Sequence, residues 1–203
     1  WSKVDVLTFS WQKCLGGEAA HGVLVLGPRA VARIAAYDPP WPLPKVFRLK
    51  KKGAVDKAIF DGDTINTPSM LCVEDYLDAL TWAESIGLEG LFKRSLANLK
   101  VVEDWVATRD WIAFLAEDKA TRSNTSVCLK VVSDTFKAMA EKERGDFIKA
   151  VAGQLSKEGA AHDVSAYRDA PAGFRLWCGP TIEPQDVRQA LDALEKVYLQ
   201  KMK

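Results

Sequence analysis

The sequence predicts an α/β protein, on two observations. Short runs rich in valine and leucine, each bounded by polar turns, alternate with longer segments that have the periodicity of amphipathic helices. Hydrophobic residues make up 48% of the 203 residues and charged residues 27%, which is ordinary for a globular protein. A chain of this length suits one large domain or two small ones.

The strands and helices follow from local patterns, taken in chain order. VDVLTF (4–9) and GVLVL (22–26) are typical of buried strands in a sheet that is covered on both faces. Pro28 suits the first turn of a helix, and the prolines of 39–44 exclude a helix there. We predict helices over 28–37, 69–87, 88–107, 135–159 and from Pro184, and further strands at 111–118, 126–132, 163–169 and 173–179.

Charge and cysteine usage exclude several classes of protein. The net charge is +1, from 28 basic and 27 acidic residues, which gives no general attraction to nucleic acid or acidic membranes. The four cysteines are scattered, with neither a CxxC pair nor the spacing of metal ligands, as in an intracellular protein. No apolar stretch approaches the length of a membrane span. We therefore expect no metal, no nucleic acid and no membrane partner, and a cytoplasmic location.

A lysine, Lys13, lies in the glycine-rich segment SWQKCLGGEAAHG (10–22), between the first two predicted strands. A lysine in a tight loop between core strands is partly desolvated, which lowers the pKa of its amine and makes it a nucleophile toward an aldehyde. Gln12 adds an amide donor beside it. The alternative is an ordinary surface lysine in a turn.

Two further segments carry residues that suit anion binding. Asn66 and Thr67 belong to NTPS, just before a long predicted helix, where free backbone N–H groups favour a phosphate; a plain helix cap is the alternative. Arg168 and Arg175 bracket the turn of YRDAPAGFRLWCG, and Arg175 falls inside an apolar strand. A buried arginine needs an anionic partner, which is either a substrate carboxylate or an internal Asp or Glu.

Taken together, four segments resemble phosphoserine aminotransferase, a class V aminotransferase of fold type I that uses pyridoxal 5'-phosphate. The similarity is to the branch found in proteobacteria and methanogenic archaea. The order and spacing of the segments match over nearly all of the chain. They are SWQKCLGGEAAHGVLVLGPRAV, INTPSMLCVEDYLDAL, ATRSNTSVCLKVV and YRDAPAGFRLWCG.

The resemblance implies a role for each candidate residue. Lys13 would bind pyridoxal phosphate covalently, and Gln12 would help to hold the cofactor phosphate. Asn66 and Thr67 match a pair that reaches this phosphate across a dimer interface, which implies a homodimer.

The two arginines would bind the substrate. Arg175 matches the arginine that binds the substrate α-carboxylate, and Arg168 resembles the arginine near the substrate phosphate. The enteric pattern has His-Arg where this chain has Tyr167-Arg168, and the spacing between the two arginines differs by one residue.

The implied reaction is a reversible amino transfer. Phosphoserine and 2-oxoglutarate are the pair on one side, and 3-phosphohydroxypyruvate and glutamate are the pair on the other; it is a step of serine biosynthesis. Once displaced by the substrate amine, Lys13 would move a proton between the substrate α-carbon and the cofactor. The family also needs an aspartate, a stacking aromatic residue and a glycine-rich phosphate loop before the lysine, and only twelve residues precede Lys13 here. We therefore expect a C-terminal portion of the enzyme, inactive alone and needing its N-terminal half as a partner.

On this interpretation, residues 1–87 are the C-terminal part of the large cofactor-binding domain and residues 88–203 form the small α/β domain. An N-terminal half that carried a transit peptide would place the enzyme in an organelle instead of the cytoplasm. Two other functions stay open. Another class V enzyme, such as a serine–glyoxylate aminotransferase, would share Lys13 but need no site for a substrate phosphate. A non-catalytic fragment would keep the fold and bind no cofactor.

Overall fold

The structure, a computed structural model, describes residues 2–64 and 66–202. It divides into two compact units, of which the first ends at Trp82 and the second begins at Ala83. The domain boundary that the sequence predicts lies after Gly87 instead. The division at Trp82 falls inside a helix, α2 (Met70–Ile86), whose apolar pattern runs on without a break. The assignment of the units to a large and a small domain stays a prediction.

The first unit contains a two-stranded antiparallel hairpin and two helices. In the hairpin, Val6 pairs with Leu26 and Ser10 with Gly22. The proline-rich segment after the first helix is not helical, as predicted, and a second, very short hairpin follows it. The elements are β1 (Val6–Ser10), β2 (Gly22–Leu26), α1 (Pro28–Ala36), β3 (Lys50–Lys51), β4 (Ala54–Val55) and α2.

The strands β1 and β2 lie where the sequence predicts them, but the prediction that they are buried is wrong. All five residues of β1 are exposed, and Phe9 and Leu24 keep 40% and 52% of their surface accessible. Within the described part of the chain, each of these strands pairs with the other and with no third strand. A run of valine and leucine indicates a surface that avoids water, and it does not say which segment covers that surface.

The second unit packs four helices around a three-stranded antiparallel sheet. The order in the sheet is β5 (Ile112–Phe114), β6 (Ser126–Val131), β7 (Gly173–Trp177), with Ala113 opposite Lys130 and Cys128 opposite Arg175. The predicted strand at 163–169 is reduced to a single bridge between Ser165 and Phe174. The elements are α3 (Leu88–Ala107), β5 (Ile112–Phe114), β6 (Ser126–Val131), α4 (Asp134–Ala138), α5 (Glu141–Lys157), β7 (Gly173–Trp177) and α6 (Pro184–Lys201).

The core of the second unit is built on aromatic rings and on one face of α6. Trp111 stacks on Tyr198 with 3.8 Å between ring centroids, and Trp105 meets Trp111 edge to face at 5.7 Å. The face of α6 that its periodicity predicts is buried; it comprises Val187, Leu191, Leu194 and Tyr198. This core fixes the sheet and thereby β7, the strand that carries Arg175.

In the part of the chain that the structure describes, no helix combines the length and the apolar character needed to cross a bilayer.

Candidate functional site

Lys13 lies in the loop that connects β1 to β2 in the first unit. The loop is closed by two backbone hydrogen bonds, from the N–H of Gly16 to the Lys13 carbonyl at 3.0 Å and from that of Gly17 to the Trp11 carbonyl at 2.9 Å. Gly16 has a φ of 70°, in the left-handed region that favours glycine. The lysine side chain is exposed, so the partial desolvation predicted for it is not found in this structure. Its amine is reachable by a ligand.

The two ends of this loop are attached to α2. Trp11 stacks on Tyr76 with ring centroids 4.2 Å apart, and His21 lies edge-on to Trp11 at 5.3 Å. The backbone N–H of Ser69, at the start of α2, donates to Nε2 of His21 at 3.0 Å. Local sequence patterns do not predict this contact, because the two partners lie 48 residues apart along the chain. These contacts hold the Lys13 loop against the start of α2.

The NTPS segment begins α2 as a helix cap. The Ser69 carbonyl accepts the N–H of Val73 at 3.1 Å, and its hydroxyl accepts that of Cys72 at 3.4 Å. Asn66 and Thr67 are exposed and precede this cap. The structure therefore places Gln12, Lys13, Asn66 and Thr67 in the first unit, with their two segments joined through His21 and Ser69.

The chemistry of these four side chains fits pyridoxal phosphate. An exposed primary amine can bind an aldehyde covalently, and Lys13 supplies one. Amide N–H groups and a hydroxyl donate hydrogen bonds to phosphate oxygens, and Gln12, Asn66 and Thr67 supply these donors. All four side chains are exposed on the first unit, where a ligand can reach them. Among the described residues no group of three or more His, Cys, Asp or Glu side chains could hold a metal ion.

Arg175 lies on β7 in the second unit, and its guanidinium is largely buried. Its Nη2 donates to Oδ2 of Asp163 at 2.5 Å and lies 3.4 Å from the Asp163 carbonyl. Its Nη1 donates to the Tyr167 hydroxyl at 3.3 Å, and the guanidinium carbon lies 4.2 Å from the centre of the Tyr167 ring. The internal acid that the sequence left open as a partner is thus Asp163.

Arg168 is exposed and belongs to a different cleft from Arg175. It lines a cleft of about 340 Å³ together with Lys149 and Ser165. Arg175 lines one of about 370 Å³ together with Asp163 and Asp186. Since Arg168 and Arg175 lie in the second unit and Lys13 lies in the first, the candidate residues form two separate sets.

Comparison with solved structures shows which fold the chain has. It superposes on a phosphoserine aminotransferase from Cytophaga hutchinsonii with a TM-score of 0.70 and 18% identity, covering 97% of this chain and 50% of that one. An alanine–glyoxylate aminotransferase from Nostoc sp. also gives 0.70 and 18%, covering 96% of this chain and 48% of that one. The fold is that of the pyridoxal-phosphate-dependent aminotransferases of fold type I, and the predicted α/β fold class is confirmed.

Comparison with curated sequences is more specific. Over 199 residues, 98% of its length, the chain is 52% identical to the phosphoserine aminotransferase of Methanosarcina mazei and 51% identical to that of Methanosarcina barkeri. The resemblance drawn from the sequence motifs is therefore confirmed. The chain spans 51% of the length of each of these relatives. No protein-family model matches it.

Proposed function

We propose that this chain is the lysine-bearing portion of a phosphoserine aminotransferase. The whole enzyme would interconvert two pairs of compounds by amino transfer in serine biosynthesis. One pair is phosphoserine with 2-oxoglutarate, and the other is 3-phosphohydroxypyruvate with glutamate. The observation that carries this proposal is the 52% identity over 98% of the chain to a protein of that name. Because the chain spans about half of that relative, the proposal assigns the activity to an assembly that would also contain the other half.

A glyoxylate-type aminotransferase is the second candidate. The fold does not separate the two candidates, because the Nostoc alanine–glyoxylate enzyme superposes as well as the Cytophaga enzyme does. The curated relatives support the phosphoserine type, since the chain is 52% and 51% identical to two proteins of that name. A third possibility, a fragment that binds no cofactor, is decided by the labelling experiment described below.

In the proposed mechanism, Lys13 would hold the cofactor covalently, and Gln12, Asn66 and Thr67 would donate hydrogen bonds to its phosphate. When bound, pyridoxal phosphate supplies the electron sink for the substrate α-carbon. Once its amine is free, Lys13 would take the proton from the substrate α-carbon as general base and then, as general acid, would pass the same proton to the cofactor. The contacts of Trp11 and His21 with α2 limit how far the Lys13 loop moves during this transfer.

The substrate groups would be bound by the second unit. Arg175 would bind the α-carboxylate through its guanidinium fork, and Arg168 would contact the substrate phosphate. A homodimer is part of the proposal, because Asn66 and Thr67 are exposed and available to a neighbouring subunit. The cytoplasm is the proposed compartment, which the four free cysteines support.

Covalent labelling tests the role of Lys13. The chain is incubated with pyridoxal phosphate, reduced with borohydride and digested, and the labelled lysines are identified by mass spectrometry. We expect a stoichiometric label on Lys13 that survives dialysis before reduction and that is absent in Lys13→Ala. Lys57→Ala is the matched control, because Lys57 is also an exposed lysine of the first unit and should not change the result. Labelling spread evenly over exposed lysines would contradict the proposal.

Substrate preference tests the choice between the two enzyme classes. The chain is co-expressed with the N-terminal half of the Methanosarcina mazei relative, and transamination of phosphoserine and serine is measured. We expect no turnover by the chain alone, and turnover of phosphoserine by the pair. Arg168→Ala should reduce kcat/KM for phosphoserine far more than for serine. An equal loss for both substrates would favour the glyoxylate-type enzyme.

A further inference from the structure

The ion pair between Arg175 and Asp163 joins a buried group to an exposed one. The Arg175 side chain keeps 15% of its surface accessible, whereas the Asp163 side chain keeps 81%. The aspartate is therefore surrounded by water on most sides. Such a pair contributes little to stability, because water competes for the carboxylate.

The Asp163 carboxylate reaches Arg175 from a residue with a positive φ, and its side chain is too exposed to be held there by packing. Asp163 has a φ of 53°, in the left-handed region that aspartate, asparagine and glycine adopt more readily than other residues. Side-chain rotation alone can release the carboxylate to water, because the side chain is exposed and the turn need not change. The contact can therefore break without disturbing β7.

The edge of Arg175 that faces Asp163 is only half used. The carboxylate occupies Nη2, while Nε, which lies on the same edge of a guanidinium, is buried and has no hydrogen-bond partner within residues 2–64 and 66–202. A carboxylate seated squarely on this edge would accept from both donors, which is the stronger arrangement. A ligand could therefore satisfy a donor that Asp163 leaves unpaired.

We propose that Asp163 is a positioning residue that occupies the carboxylate site of Arg175 until a ligand carboxylate replaces it. Binding is then an exchange of anions: the ligand takes Nη2 and Nε, and the Asp163 side chain turns into water. The guanidinium stays neutralised throughout, and the cost is the loss of one weak ion pair. This inference rests on the proposed function, which assigns Arg175 to the substrate carboxylate.

The exchange predicts that removing the Asp163 charge tightens the binding of carboxylates. We expect Asp163→Asn and Asp163→Gly to bind 2-oxoglutarate roughly two- to fivefold more tightly than the wild type, the range expected from losing one exposed pair. Both replacements tolerate the backbone φ at this position, so the turn is preserved. A purely structural role for Asp163 predicts the opposite, weaker binding.

The measurement is an NMR titration of the full 203-residue chain with 2-oxoglutarate, following the Nε–H resonance of Arg175. The resonance is assigned by its loss in Arg175→Lys, and the dimethyl ester of 2-oxoglutarate is the uncharged control ligand. Asp186→Asn is the matched control variant. Asp186 lines the same cleft and changes the charge equally, but its carboxylate accepts the N–H of Glu183 at 3.0 Å.

Three results would overturn the proposal. One is unchanged or weaker binding in both Asp163 variants. Another is an equal gain in Asp186→Asn, which would assign the effect to net charge. The third is a titration that leaves the Arg175 resonance unmoved in every variant. The proposed function fails separately, through the cofactor label on Lys13, because that experiment uses neither Arg175 nor a carboxylate ligand.

Discussion

Asn98 on α3 holds the turn between β7 and α6 with a single amide group. Its side chain is fully buried, and Nδ2 donates to the carbonyls of Cys178, Gly179 and Ile182 at 3.3, 3.0 and 3.1 Å. A carboxylate in place of this amide would have the same volume but no N–H to donate. Its oxygen would face the three carbonyl oxygens, which are also acceptors. We expect Asn98→Asp to lower the free energy of unfolding by about 3 kcal/mol.

Urea denaturation at neutral pH measures this change. Asn98→Ala, which removes the donor without adding a charge, should lower the free energy of unfolding by about 2 kcal/mol. Gln189→Ala is the control, because Gln189 is exposed and its replacement should shift the free energy by no more than about 0.5 kcal/mol. If Asn98→Asp proved as stable as the wild type, the amide would not hold the turn.

Cys178 combines full burial with a thiol that resists ionisation. Burial raises the pKa of this thiol from 9.0 to about 12. The thiol ionises at a lower pH in the unfolded chain than in the folded protein. Unfolding at a pH between 9.0 and about 12 therefore releases a proton. The stability that Cys178 contributes is therefore present below pH 9.0 and is lost as the pH rises toward about 12.

Two measurements check this behaviour. At pH 8 we expect iodoacetamide to alkylate the exposed Cys14 and to leave Cys178 unmodified until the protein unfolds. Above pH 9 the free energy of unfolding should fall with pH in the wild type more steeply than in Cys178→Ala. The difference between the two slopes should be about 1 kcal/mol per pH unit. Equal alkylation of both cysteines under native conditions would show that the Cys178 thiol is accessible.

At the scale of elements, the pairing of β6 with β7 depends on the absence of a side chain at Gly173. A Cβ at this position would lie 2.3 Å from the Leu129 carbonyl oxygen, a backbone atom that cannot rotate away. We expect Gly173→Ala to lower the free energy of unfolding by about 3 kcal/mol and to disorder β7, which carries Arg175. The control is Gly153→Ala in α5, where a Cβ meets no atom within 4 Å.

Thermal unfolding and the NMR signal of Arg175 report the two effects of Gly173→Ala. The control should be stabilised by about 0.5 to 1 kcal/mol, because alanine favours a helix more than glycine does. If both variants unfolded at the wild-type temperature, the sheet would have room for a methyl group at Gly173, and the close approach of the strands would be unimportant.

Elements with a buried face inside one unit were predictable from sequence. The helix over 88–107 has the predicted bounds, and α6 buries the predicted residues, because their 3.6-residue periodicity reflects a core that the chain itself supplies. The strands β1 and β2 were located correctly, but their exposure was not, since local composition cannot identify the covering layer. The helix predicted over 135–159 is divided at Met139–Ala140 into α4 and α5.

The sequence offers candidate residues for the site, whose roles stay a prediction, but it does not predict the contacts that these residues make. The positions of Lys13 between two strands and of Arg175 inside one made them candidates, but only the resemblance to the family gave them roles. The hydrogen bond between His21 and Ser69 joins residues that are 48 positions apart, and no local sequence pattern predicts it. The partner of Arg175 was equally hidden, because Asp163 reaches it from a turn with a positive φ, where the sequence predicts a strand.

At the scale of the whole molecule, the buried apolar side chains are distributed very unevenly between the two units. Up to Trp82, the described residues contain two buried apolar side chains, Cys72 and Ala79. The main core extends from Val102 to Tyr198 and lies entirely in the second unit. Since burial of apolar surface is the main source of stability, the second unit should be much more stable than the first.

We therefore expect the two units to unfold separately in urea, the first at a lower concentration. Hydrogen exchange followed by mass spectrometry at increasing urea would resolve the two steps. Leu191→Ala, in the core of the second unit, should lower the stability of that unit by about 3 kcal/mol and leave the protection of the β1–β2 hairpin unchanged. If the hairpin lost protection in parallel, the chain would unfold as one cooperative unit, and its division at Trp82 would have no energetic meaning.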